Sequence, residues 1–91
     1  MTTEQKLIII DVSNLFNEVQ EVIDSSPHNG ALETASLLDE LEGKRKKLYL
    51  RAFRGKMFSA EVGGRTVQSW LDQIYYKIYD AIKALRSAEV A

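Results

Sequence analysis

The chain has 91 residues, of which 45% are apolar and 27% charged, a composition typical of a single globular domain. It contains no cysteine and one histidine, which excludes disulfides, thiolate metal sites and a zinc site built from several histidines of one chain. No segment approaches the ~20 apolar residues of a membrane span. The opening residues lack the cationic start of a signal peptide, so we expect a cytoplasmic protein with no membrane partner.

The net charge of -1 hides a strong internal division. Residues 1–43 carry nine acidic residues against one lysine, whereas residues 44–65 carry eight basic residues against one glutamate. The last 26 residues are balanced, with three of each sign. A division of this kind indicates how a chain associates with partners rather than how it folds.

The first predicted element is an amphipathic helix over residues 5–24. Its apolar residues recur at alternating spacings of four and three, the pattern of one helix face: Ile8, Val12, Leu15, Val19 and Val22. The β-branched run at residues 8–10 leaves a short buried strand at residues 7–10 as an alternative.

A second helix is predicted over residues 31–42. Proline and an Asn-Gly pair in residues 25–30 break the first helix. Apolar residues cluster again on one side of the following segment, and Gly43 stands where a C-terminal cap is expected. The basic run after Gly43 would suit the negative end of the helix dipole.

Residues 44–60 are predicted to form a third helix, because they contain no Val, Ile or Thr and are rich in strong helix formers. A hairpin within residues 47–62, turning at residues 54–56, is the alternative. In the helical version, one arc turns into the core and consists of Tyr49, Leu50, Phe53, Met57 and Ala60. The neighbouring arc is basic and consists of Lys44, Lys47, Arg51 and Arg54.

The last helix is predicted over residues 66–86, with Thr66 as its N-cap after Gly63 and Gly64. Its apolar residues, from Val67 to Leu85, fall within roughly 140° of arc, the clearest periodicity in the chain. The predicted fold is therefore all-α: a single domain over residues 1–91, forming a small antiparallel bundle of three or four helices with the last helix at its centre.

One motif resembles a known enzyme family. Residues 6–16, with Asp11 after an apolar run, resemble the opening strand of PIN-like and 5′-nuclease domains. That resemblance implies a strand-end aspartate that binds a divalent cation. Such domains need further carboxylates from later parallel strands, and this chain offers no later strand-helix-strand series. A helix with one exposed aspartate explains the same residues.

The remaining motifs are weaker. Residues 63–66 resemble the end of a phosphate-binding loop, but position 59 is serine where the first glycine belongs and Arg65 replaces the lysine. What remains is a turn whose free N–H groups could accept an anion. His28 lies in a turn with no partner that would make it a base or ligand. We therefore predict a non-enzymatic protein without a cofactor or metal.

The basic segment 44–65 gives the strongest functional prediction, namely a small binding subunit of a larger assembly that docks a polyanion, and nucleic acid above others. The residues predicted to bind it are Lys44, Arg45, Lys47, Arg51, Arg54, Lys56 and Arg65. In place of nucleic acid, the partner of the basic segment could be an acidic protein surface. The alternative function is an adaptor or inhibitor that binds a partner protein through its acidic or charged helical faces, with Tyr76, Glu18 and Glu21 as contacts. The basic stripe could also pair with the acidic helices, within one chain or between copies in a homo-oligomer.

Overall fold

The computed structural model describes the backbone of residues 1–90 and the side chains of residues 1–87. The helices are α1 (Thr3–Asp24), the single-turn α2 (Ser26–Asn29), α3 (Ala31–Arg54) and α4 (Val67–Val90). Strands β1 (Glu61–Val62) and β2 (Arg65–Thr66) form a two-residue antiparallel hairpin between α3 and α4. The predicted all-α bundle is confirmed, with this small hairpin as an addition.

Helix α1 begins at a capping box. The Thr2 hydroxyl accepts a hydrogen bond from the Gln5 backbone N–H, and the Gln5 side chain accepts one from the Thr2 N–H. Two N–H groups that the helix start leaves free are thereby satisfied. Ile8 lies in the core and residues 7–10 are helical, so the strand alternative is wrong.

Residues 31–54 form one continuous helix, so the predicted break at Gly43 is wrong. A single glycine inside a helix costs about 1 kcal/mol relative to alanine. Leu41 on one side of it and Leu48 on the other are both buried, and burying one leucine stabilises the fold by about 1.5–3 kcal/mol. Continuing the helix through Gly43 keeps both leucines on the same buried stripe.

Helix α3 ends at Arg54, earlier than the predicted residue 60. Lys56 has a positive φ of 55°, and the Met57 N–H donates to the Ala52 carbonyl at 2.9 Å. The reversal carries Met57 back into the core. The predicted hairpin alternative at residues 47–62 is also wrong, because the hairpin in the structure turns at Gly63 and Gly64.

Gly63 and Gly64 have φ values of 58° and 83°. Two consecutive positive φ values are what a two-residue type I′ hairpin turn requires. The hairpin delivers the chain to α4, where the Thr66 hydroxyl accepts from the Ser69 N–H at 3.1 Å. Thr66 is therefore the N-cap, as predicted.

The three long helices enclose one apolar core. Helix α3 contacts both α1 and α4 more extensively than these two contact each other, so α3 and not α4 is the central helix. The chain reverses direction between α1 and α3 and again between α3 and α4. No helix among residues 1–90 has the length and hydropathy that crossing a bilayer requires. The buried apolar side chains are Ile8, Val12, Leu15, Val19, Leu38, Leu41, Leu48, Ala52, Met57, Val67, Leu71, Ile74 and Ile78.

Two glycines predict opposite effects of the same substitution. A Cβ at Gly43 would meet nothing within 4 Å, so Gly43→Ala should raise the free energy of unfolding by about 1 kcal/mol and the melting temperature by about 4–8 °C. Gly30 has a φ of 83°, which alanine adopts only with strain, so Gly30→Ala should lower both. Thermal unfolding followed by circular dichroism checks the pair. Destabilisation of the monomer by Gly43→Ala would contradict an unbroken α3.

Candidate interaction surface on helix α3

The flank of α3 that faces α1 holds part of the basic segment in ion pairs. The Arg51 guanidinium donates to Asp11 at 2.8 Å and to Glu4 at 3.0 Å, and the Lys44 ammonium lies 3.3 Å from Glu18. Hydrogen bonds to Asp11 and Glu4 raise the pKa of Arg51 above its ordinary value. Lys44 and Arg51 therefore pair with three carboxylates of α1, which is one of the alternatives that the sequence left open.

The opposite flank of α3 faces α4 and holds Arg45. Its guanidinium forms a bidentate salt bridge with the Glu42 carboxylate, with N–O distances of 2.7–3.0 Å. The Arg45 side chain is only 12% exposed and that of Glu42 18%. The hydrogen bond to Glu42 raises the pKa of Arg45, with burial opposing it. The guanidinium carbon also lies 5.0 Å from the centre of the Tyr75 ring and 6.0 Å from that of Tyr49. Arg45 is thus fixed between α3 and α4.

The outward side of α3 between these flanks combines cations with exposed apolar side chains. Leu50 and Phe53 are 52% and 64% exposed, and they stand among exposed cations. We call this set the basic-apolar face: Lys46, Lys47, Leu50, Phe53 and Arg54. Within residues 1–87 none of its three cations forms an ion pair. The second half of α3 offers them no partner, because the helix contains no carboxylate after Glu42.

The exposure of Leu50 and Phe53 corrects the predicted core arc. Leu48 and Ala52 are the buried residues of this part of α3, so the helix is rotated away from the predicted arc and turns Leu50 and Phe53 outward. Tyr49 is half-buried, and of the arc only Met57 is fully buried. The prediction assumed a helix continuing to residue 60, which gave the aromatic residues a common buried side.

Aromatic rings extend from the basic-apolar face towards α4. The Phe58 ring centre lies 5.8 Å from that of Phe53 and 4.8 Å from that of Tyr49. On α4, Tyr75 contacts the rings of Tyr76 and Tyr79, at 5.4 Å and 6.2 Å between centres. Arg45 lies between the two groups. An aromatic surface therefore borders the face on its α4 side.

The other predicted site residues lie elsewhere. Lys56 is exposed just after α3, and the Arg65 guanidinium carbon lies 5.5 Å from the centre of the Trp70 ring at the hairpin. Tyr76 is 62% exposed on α4, while Glu21 is exposed on α1. The structure thus divides the predicted set among several surfaces instead of joining it in one stripe.

The structure does not place the nuclease-like and the loop-like motif in the surroundings that each requires. Asp11 lies in the middle of α1, paired with Arg51, and not at the end of a strand. Across the described residues, no group of three or more His, Asp or Glu side chains is placed to hold a metal ion. Residues 63–66 form a hairpin turn and its second strand, so Gly63 and Gly64 do not open a helix as a phosphate-binding loop would.

Comparisons with models of protein families, with curated proteins and with solved structures found no match to this chain. A function must therefore be argued from the surface of the molecule itself. The basic-apolar face is the strongest candidate, because large exposed apolar side chains grouped on one helix face mark interaction sites more often than isolated ones do. Sequence periodicity missed this face by assigning its apolar members to the core.

The α1–α3 ion pairs predict a small loss of stability in Arg51→Gln. These side chains are 38–57% exposed, so solvent screening limits the pairs to about 0–1 kcal/mol each. The free energy of unfolding should fall by about 0.5–1 kcal/mol in low salt, and the difference should shrink in 1 M salt, where the Debye length is about 3 Å. Urea denaturation measures it. Lys83→Gln, which removes an exposed cation of α4 that forms no ion pair within residues 1–87, is the control and should leave stability unchanged.

Proposed function

We propose that this chain is a non-catalytic interaction module whose basic-apolar face binds an acidic, amphipathic helix of a partner protein. The carrying observation is the exposure of Leu50 and Phe53 among three cations without carboxylate partners in residues 1–87. Apolar anchors three positions apart on a helix suit a partner helix with its own apolar stripe.

The two kinds of side chain would contribute differently to binding. Burying Leu50 and Phe53 in the complex would supply most of the affinity, since a few large apolar anchors carry most of the binding energy in an interface. Lys46, Lys47 and Arg54 would attract carboxylates on the partner, raise the association rate and reject basic competitors. An acidic helix with apolar residues at three- and four-residue spacings satisfies both requirements.

Docking of nucleic acid remains a second candidate. Of the seven predicted cations, Lys44, Arg45 and Arg51 contact carboxylates of the same chain, which reduces the charge available to phosphates. Phe53 favours the candidate, because an exposed ring beside Arg54 and Lys56 could stack on a base of a single strand. A paired cation would first have to leave its carboxylate.

Defined probes separate the two functions. We expect the protein to bind a helical peptide with leucines on one face and glutamates on the other, and to bind a scrambled peptide of the same composition much more weakly. Affinity for the amphipathic peptide should fall only modestly with salt. Fluorescence anisotropy with the two peptides and with single-stranded oligothymidine measures this. Tighter binding of the oligonucleotide, falling steeply with salt, would replace the proposal with the nucleic-acid function.

Substitution of one exposed ring tests where the peptide binds. Phe53→Ala should weaken peptide binding by at least about tenfold, since truncating an anchor residue costs about 2 kcal/mol or more. Tyr76→Ala is the matched control, because Phe53 and Tyr76 are 64% and 62% exposed on different helices. Thermal unfolding should show both variants folded. A loss of binding in Tyr76→Ala with none in Phe53→Ala would move the site to α4.

A further inference from the structure

The outward side of α3 carries a repeat that extends beyond the basic-apolar face. Seven exposed residues recur at alternating spacings of four and three along the whole helix, the spacing of a helix-pairing stripe. We call them the outer seam: Leu32, Ser36, Asp39, Gly43, Lys46, Leu50 and Phe53. The opposite side of α3 packs on α1 and α4, so the outer seam is a second face of a helix that already has one in the core.

The outer seam is complementary to itself when reversed about Gly43. A two-fold axis through Gly43 brings residues 39 and 40 level with residues 47 and 46 of a second copy. Asp39 and Glu40 then oppose Lys47 and Lys46, and the pairing occurs twice. The same axis places Leu32, which is 78% exposed, beside Phe53 and Arg54 of the other copy.

A parallel arrangement lacks this match. It would place Asp39 against Asp39 and Lys46 against Lys46, and like charges directly opposed in an interface are costly. The division of α3 into an acidic first half and a basic second half therefore selects an antiparallel pair. In a pair related by a two-fold axis, each contact is made twice by one patch of surface.

Gly43 fits the centre of such a pair. Glycine weakens an isolated helix relative to alanine, and the space beyond Gly43 is open, so packing within one chain gives no reason for a glycine. Where two helices cross, the absence of a side chain lets the backbones approach closely. Glycine at the crossing point removes the group that would otherwise hold the two copies of α3 apart.

We infer that two copies of this chain pair through α3, antiparallel, with Gly43 at the two-fold axis. The inference rests on the proposed function, because it names a second copy of the chain as one partner of the basic-apolar face. Asp39 of the outer seam and its neighbour Glu40 supply carboxylates of the kind that this face is proposed to bind, and Leu32 supplies an apolar anchor.

Single cysteines test the register, since the chain has no cysteine of its own. A mixture of the Ser36→Cys and Leu50→Cys proteins should cross-link under mild oxidation, because the axis places residue 36 of one copy level with residue 50 of the other. Ser36→Cys alone and Leu50→Cys alone should not link, because each residue lies seven positions from the axis and its two copies are about 21 Å apart along the helix. A disulfide needs Cα atoms within about 7 Å. Self-linking of Ser36→Cys as fast as linking in the mixture would overturn the antiparallel register.

Charge reversal tests the complementarity by sedimentation equilibrium. The double variants Asp39→Lys/Glu40→Lys and Lys46→Glu/Lys47→Glu should each raise the dimer dissociation constant by at least about tenfold. The quadruple variant restores opposite charges across the axis and should recover dimerisation. A quadruple variant as weak as either double variant would overturn the pairing, provided that circular dichroism shows it folded.

The same variants separate this inference from the proposed function. Binding of the acidic peptide should be lost in Lys46→Glu/Lys47→Glu. It should remain lost in the quadruple variant, because that protein keeps glutamates at positions 46 and 47, which repel the peptide. Wild-type protein that binds the peptide but stays monomeric at millimolar concentration and low salt would overturn the dimer alone. Wild-type protein that dimerises as described but does not bind the peptide would overturn the binding of a foreign acidic helix alone.

Discussion

The burial of one stripe of α3 determines the rest of the surface. Leu38, Leu41, Leu48 and Ala52 all lie in the core, and together they fix the rotation of a 24-residue helix about its axis. Once that rotation is set, Arg51 must face α1, Arg45 must face α4, and Leu50 and Phe53 must face outward. The distribution of cations around α3 is therefore a consequence of apolar packing, and ion pairing follows from it.

That rotation gives the basic segment two roles. Lys44 and Arg51 neutralise carboxylates on α1, where the segment contributes to the fold. Lys46, Lys47 and Arg54 have no carboxylate within ion-pairing distance among residues 1–87, and two large apolar side chains separate them. Exposed apolar surface gives a folded monomer no advantage in water, and its grouping on one face is the observation on which the proposed interaction rests.

The sequence predicted the features that depend on local periodicity. The extent of α1, the start of α4, the Thr66 cap and the all-α class followed from the spacing of apolar residues and from cap preferences. Helix α4 runs to Val90, beyond the predicted end at residue 86. The break at Gly43 was wrong because a cap preference is worth less than keeping Leu41 and Leu48 on one buried stripe. The predicted basic stripe lies on α3, but its division between flanks depends on the rotation of that helix, which its buried apolar residues fix. Leu50 and Phe53 were assigned to the core because an exposed apolar face and a buried one give the same spacing.

The most direct test of the outward face of α3 as an interface is an amide NMR dilution series on isotope-labelled protein, from millimolar to micromolar. If α3 pairs as inferred, the signals of Ser36, Gly43, Leu50 and Phe53 should shift together with dilution. Those of Ser13 on α1 and Tyr76 on α4 should stay fixed. Shifts centred on the tyrosines of α4, or a spectrum that does not change with concentration, would contradict the pairing of α3.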